Sequence, residues 1–182
     1  MSYENRNLYP DCITITRTVE VGGLTKPQLI QKMQQHSIFM NELGEKLFAD
    51  DNFTTSAKKY TLKTVELTVR NLGLPEGATT TQIFNSANQL DLNLCPLELG
   101  PHLRMAYMDQ AEGYSGKPSR RNQAPYGSIT IASEILNEDK NFPKGFYLRR
   151  IKGVLWLRGY VADEQHVWSA DDHFIFCIKK DF

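Results

Sequence analysis

Net charge is what this sequence has least of: 21 lysines and arginines stand against 21 aspartates and glutamates in 182 residues. A balanced chain carries no dominating field for a polyanion, so only a local basic patch is expected to meet nucleic acid. Cysteine is scarce as well. Cys12, Cys95 and Cys177 are widely spaced, with no Cys-x-x-Cys pair and no histidine at metal spacing. That pattern speaks against a disulfide scaffold or a zinc site and for reduced thiols in a cytoplasm. No apolar run approaches the ~20 residues of a bilayer span. Residues Met1 to Asn7 hold no apolar core of a secretion signal, so a soluble cytoplasmic protein with no membrane partner is expected. Neither Gly-x-x-x-x-Gly-Lys-[Ser/Thr] nor Gly-x-Gly-x-x-Gly occurs, which sets aside nucleotide hydrolysis through a P-loop.

What is there suffices for a globular fold. Hydrophobic residues make up 41% of the chain, and a chain of this length buries roughly 70% of its unfolded surface. It needs neither disulfides nor metal to fold, and no cofactor is expected. Residues 1–182 read as a single α+β domain.

Within that domain a segment recurs. Glu42-Leu43-Gly44-Glu45-Lys46-Leu47 returns as Glu98-Leu99-Gly100-Pro101-His102-Leu103, and Thr25-x-x-Gln28 upstream of the first copy returns as Thr79-x-x-Gln82. Recurrence at this scale describes two strand-helix-helix units, at about 13–48 and 60–104. In the first, Ile13, Ile15, Val19 and Val21 alternate with polar residues as a half-buried strand, with Arg17 interrupting the apolar side. Thr25 and Gln28 form a capping box, with Pro27 in the first turn of a helix at about 25–36. A second helix starts at Asn41. The second unit opens with a strand at about 60–70, whose alternation slips frame between Leu62 and Val65 and so predicts a bulge. Thr79 and Gln82 cap the next helix. A brief helix is expected to end near Gly100-Pro101, with Leu103 to Met108 extended.

Residues 111–127 read as a loop and hold the one locally basic stretch, Lys117, Arg120 and Arg121. Beyond it, at about 128–180, the pattern turns to β: Ile129, Ile131 and Ile135 alternate with polar residues, and two strands flank Lys152-Gly153, a two-residue hairpin signal. A last strand follows the acidic loop from Asp163-Glu164 to Asp171-Asp172. The expected class is α+β: a mainly antiparallel sheet, helices from two repeated strand-helix-helix units, and a C-terminal β-meander of three or four strands.

With Lys152-Gly153 as the loop, strand periodicity sorts the hairpin. Phe146, Leu148, Leu155 and Leu157 point to a core. Tyr147, Arg149, Ile151, Val154, Trp156, Arg158 and Tyr160 share the other face, with Arg149 opposite Trp156 and Tyr147 opposite Arg158. Alternating guanidinium and aromatic groups have two uses. They can form cross-strand cation–π pairs worth roughly 0.5–1 kcal/mol each. They can also stack flat groups and grip carboxylates or phosphates, as protein-binding hot spots do. Folding of the acidic loop over this face would neutralise it and favour the internal use.

Two other clusters carry chemistry in principle. Glu98 and His102, with Arg104 nearby, form an acid/base pair if the short helix continues past Pro101. Glu42 repeats Glu98 while Lys46 replaces His102, which favours a structural role for the glutamate. His166 and His173 flank Asp171 and Asp172 at a spacing that matches no standard metal site.

The stretch Leu94-Cys95-Pro96-Leu97-Glu98-Leu99-Gly100-Pro101-His102-Leu103-Arg104, of the form Cys-Pro-x-Glu-x-Gly-Pro-x-Leu-Arg, continues to Tyr107 and is followed by Trp156-Leu157 and by Trp168 to Phe176. It resembles an uncharacterised family of small bacterial proteins, some labelled helicase. The resemblance covers about the last two thirds of the chain. It implies no activity, and a helicase label would require the phosphate-binding motif that is missing. The expected function is a non-catalytic binding or regulatory protein of a bacterial cytoplasm. It would use Tyr147, Arg149, Trp156, Arg158 and Tyr160, helped by Lys117, Arg120 and Arg121, to contact a protein partner or single-stranded nucleic acid. A small enzyme built on Glu98 and His102 is the alternative.

Overall fold

Residues 8–113 and 124–179 are described by the structure, a computed structural model. Their elements are β1 (Ile15–Val21), α1 (Lys26–Gln35), β2 (Phe39–Met40), α2 (Glu42–Ala49), β3 (Tyr60–Thr68), β4 (Ala78–Thr79), α3 (Thr80–Gln89), β5 (Leu92–Asn93), α4 (Leu99–Ala106), β6 (Ile129–Ile131), β7 (Gly145–Ile151), β8 (Val154–Tyr160), β9 (Val167–Trp168) and β10 (His173–Ile178). The fold is α+β, with a mixed, mostly antiparallel sheet in the order β1-β3-β10-β6-β7-β8-β2, β5 joining β10 beside it. The sheet curls. Helix α4 packs against β1 at one end and against β7 and β8 near the other, with α1 lying on α4.

Local chemistry starts the helices where the sequence predicts. Thr25 and Gln28 exchange hydrogen bonds at the start of α1, and Thr79 and Gln82 do the same for α3. Asn41 caps α2 by accepting from the Gly44 amide at 2.9 Å. The same side chain exchanges hydrogen bonds with the backbone of Gly159, its amide nitrogen at 2.8 Å and its carbonyl at 3.0 Å, and so fastens α2 to β8. A Cβ at Gly159 would stand 2.6 Å from the Leu43 backbone, so only glycine permits that approach.

Helix α4 corrects the expected break at Pro101. Proline in the first helical turn forfeits no intrahelical bond, because the first amides have no partner there. The helix therefore runs on through Leu103 to Ala106 rather than becoming extended. The two Glu-Leu-Gly copies also differ: Glu42 is exposed in α2, whereas Glu98 is buried ahead of α4.

Strand pairing carries two further corrections. No bulge interrupts β3, which pairs β1 without a break from Tyr60↔Val21 to Glu66↔Ile15. The frame slip arises because Thr64, Val65, Glu66 and Leu67 are buried in succession, so this half of the strand is covered on both faces. Strand β10 does not extend the antiparallel run of β6, β7 and β8. It inserts between β3 and β6, parallel to β6. At the β1 edge the expected half-buried strand is open: Ile13 is 96% and Ile15 50% exposed. Arg17, which breaks the apolar pattern there, reaches Glu66 on β3 at 2.8 Å.

The sheet has a core on each face. Inside the curl, Val21, Leu29, Leu47, Leu103, Leu148 and Leu157 belong to one buried cluster. On the outer face, Val65, Leu67, Ile83, Trp168, Phe174 and Phe176 form another, beneath α3.

Candidate functional site

Register places the hairpin's second face. Lys152 and Gly153 both have positive φ, 49° and 76°, and close the two-residue turn. Their geometry sets Tyr147 opposite Arg158 and Arg149 opposite Trp156. Across the whole sheet, Leu67, Phe174, Thr130, Tyr147 and Arg158 are successive partners and so lie in one row on the outer face. The first two belong to the core beneath α3, whereas Tyr147 and Arg158 on the hairpin are only half-buried. Among the described residues, the arginine-aromatic face is thus the half-buried continuation of an otherwise covered sheet face.

Side-chain pairing on it differs from the cross-strand cation–π pairs expected. The Arg158 guanidinium lies 5.2 Å from the Trp156 ring, two residues away on the same strand. Long side chains lean along a strand as easily as across it. Trp156 instead meets an aromatic neighbour on its other side: β2 pairs parallel with β8, sets Phe39 beside Trp156, and the rings sit 5.5 Å apart. Phe39 is 51% exposed. Sequence reasoning missed it because a two-residue strand has no periodicity to read.

The acidic loop reaches this face but does not neutralise it. Trp168 packs on Tyr160 and Phe174, at 5.5 and 4.9 Å between ring centres, and seals the Tyr160 end. The carboxylates point elsewhere: Asp163 accepts from the Gln165 amide, Asp171 pairs with Arg70, and Asp172 accepts from the Ser169 amide. His173 bonds Glu66 at 3.0 Å, and His166 stands edge-on to Trp168. The histidines and aspartates of this loop therefore do not converge, and no cluster able to hold a metal occurs among the described residues.

Between the hairpin and this loop lies a groove of about 300 Å3, bounded by Leu43, Ser128, Thr130, Tyr147, Arg158 and His166 among others. Two polar atoms at its wall, Ser128 Oγ and Arg158 Nε, are buried with no hydrogen-bond partner among the described residues. Arg149 Nε is in the same condition. Neither Arg149 nor Arg158 pairs with a carboxylate among the described residues. Burial raises the Tyr147 phenol, against the lowering pull of Arg158 and Arg149. Burial alone pushes the Tyr160 phenol up. Both stay neutral donors at physiological pH. Lys117, Arg120 and Arg121 lie outside the described residues.

The Glu98 and His102 pair is engaged in holding the fold. Glu98 accepts from Tyr60 Oη at 2.6 Å with one oxygen and from the Ser56 amide at 3.0 Å with the other. His102 Nε2 accepts from the Gly22 amide at 3.1 Å, and burial holds its pKa below the usual value. Arg104 is fully buried and donates to Gln110 Oε1 at 2.6 Å and to the carbonyls of Tyr107 and Trp156. These three side chains fasten α4 to β1, β3 and β8.

No family model matches this chain, and it matches no curated protein and no solved structure.

Proposed function

We propose that this chain is a non-catalytic binding protein that grips an acidic, aromatic-bearing segment of a protein partner on the outer face of β7 and β8. One observation carries the reading. Among the described residues, the Arg149 and Arg158 guanidiniums have no carboxylate partner, beside a loop whose Asp163, Asp171 and Asp172 carboxylates are directed elsewhere. Charge-assisted hydrogen bonds from a partner's Asp or Glu would fill that vacancy, with the unpartnered Ser128 hydroxyl adding a donor in the groove. Phe39 and Trp156 supply an adjoining aromatic surface of the kind that anchors protein interfaces. The chain's zero net charge favours a protein partner over single-stranded nucleic acid.

The same reading takes the chain as one α+β domain of a bacterial cytoplasmic protein, akin to the family with the Cys-Pro-x-Glu-x-Gly-Pro-x-Leu-Arg segment. It takes the two strand-helix-helix units as copies of one ancestral unit, supported by the matching capping boxes of α1 and α3. The C-terminal strands complete the sheet as a meander from β6 to β8, supported by their consecutive antiparallel pairing.

Selection from a random peptide library tests the function. The wild-type protein should enrich peptides rich in Asp or Glu with an aromatic residue, and Arg149→Gln/Arg158→Gln should bind them at least roughly ten-fold more weakly. Enrichment of basic peptides, or equal binding by the double variant, would contradict it. Tight oligo(dT) binding that weakens steeply with salt would favour the nucleic-acid reading instead.

A further inference from the structure

A second recess lies where β7 begins and β8 ends, a cleft of about 660 Å3. Its polar lining includes Ser133, Lys144, Tyr160 and the first residues of α3, Thr80 and Thr81; Phe84, Ile135 and Ala162 give it an apolar side. None of its polar groups has a role in the hairpin face except Tyr160, which borders both recesses.

Two side chains here are anomalous. Ser133 is 2% exposed and its Oγ has no hydrogen-bond partner among the described residues. Native proteins rarely leave a buried hydroxyl unbonded. Lys144 is 7% exposed, and its Nζ donates to the carbonyls of Asn137 and Asp139, both at 2.7 Å. No carboxylate pairs with it among the described residues. An ammonium has three donors, so one N–H is unassigned. A buried cation without a counter-charge is unfavourable unless an anion joins it. The α3 N-terminus adds backbone amides with no intrahelical acceptor and the positive end of a ten-residue helix. Gly145 leaves the floor open: a Cβ there would stand 2.9 Å from Ser133 Oγ and 3.5 Å from the Tyr160 hydroxyl.

The geometry points to a small-molecule site: we infer that this cleft binds an organic carboxylate with an apolar body, its carboxylate received by Lys144 and Ser133 beside the N-terminus of α3. The apolar side contributed by Phe84, Ile135 and Ala162 faces the rest of the ligand. Exposed Glu138, Asp163 and Glu164 on the rim outnumber Lys140 there and disfavour a doubly charged phosphate. A single negative charge held on the buried ammonium meets less of that repulsion.

Calorimetric titration with phenylacetate and hexanoate tests this, with neutral phenylacetamide and inorganic phosphate as controls. Both carboxylates should bind saturably, and the amide and phosphate at least roughly ten-fold more weakly. Ser133→Ala should weaken phenylacetate about five-fold, and Lys144→Met more than roughly ten-fold. If Lys144→Met fails to fold, the amide comparison and Ser133→Ala decide. Arg149→Gln/Arg158→Gln should leave phenylacetate binding unchanged, which separates this cleft from the hairpin face. The inference is overturned if neither carboxylate saturates or if phenylacetamide or phosphate matches phenylacetate. Unchanged affinity in Ser133→Ala, or loss of binding in the double arginine variant, overturns it equally.

Discussion

Replacing Arg104 with methionine sets two large effects against each other. The substitution removes a guanidinium from a fully buried position, which relieves a desolvation cost that already pulls its pKa down to about 10. It also strips donors from three acceptors: Gln110 Oε1, the Tyr107 carbonyl and the Trp156 carbonyl. The buried Gln110 oxygen cannot turn to water. The Gln110 amide nitrogen is anchored on the carbonyls of Gly127 and Leu148, at 3.0 and 3.1 Å, so its oxygen stays aimed inward. At roughly 1–3 kcal/mol for an orphaned buried acceptor, with two further bonds lost at the part-buried carbonyls, the loss outweighs the relief. A net destabilisation of about 3 kcal/mol is expected, a fall of roughly 6–12 °C in Tm for a chain of this size. Urea unfolding followed by circular dichroism measures it. Arg104→Lys, keeping the charge without the fork, should fall between the two. A loss below about 1 kcal/mol in Arg104→Met would refute the reasoning, since desolvation relief would then dominate.

His102 should make stability depend on acid. Its folded pKa is depressed by burial below the ordinary 6.5, so the unfolded chain takes up the proton first. Its contribution is full above pH 6.5 and is lost as pH falls towards the folded value. The stability gap between wild type and His102→Gln, measured by urea unfolding from pH 8 to 5, should therefore shift in favour of the variant, whose oxygen still accepts from Gly22; a constant gap would contradict this. His173, raised chiefly by its bond to Glu66, works in the opposite sense, and the comparison at a single site cancels it. Asn41→Ala removes a helix cap and both bonds to Gly159 and should cost about 2–3 kcal/mol. Asn41→Asp, which keeps the acceptor, should cost less, and equal losses would show that the cap oxygen contributes nothing.

What the sequence made legible follows how local each determinant is. The Lys152-Gly153 turn fixes the hairpin register by itself, so the facing pairs Tyr147/Arg158 and Arg149/Trp156 follow from a dipeptide and a period of two. Capping boxes are likewise complete within four residues. Strand β10 was not legible as the partner of β3 and β6, because its insertion between them depends on contacts far apart in the chain. Pro101 misled because a proline looks like a helix end from either side, and only the position of Glu98 ahead of α4 shows that it belongs to the first turn. Double coverage of β3 imitated a bulge. Phe39 lay beyond any pattern, and the cleft around Ser133 is assembled from α3 and two separate loops. One signal for that cleft was present: Lys144 is a lone cation in Phe142-Pro143-Lys144-Gly145-Phe146, a run whose neighbours predict burial.

Chemical-shift mapping tests the binding face most directly. The uniformly 15N-labelled protein, titrated with an acidic peptide taken from the library selection, should show saturable shifts concentrated on β7, β8 and Phe39, and little change along α1 or α4. Shifts centred on another surface, or none on the hairpin at saturating peptide, would contradict the account.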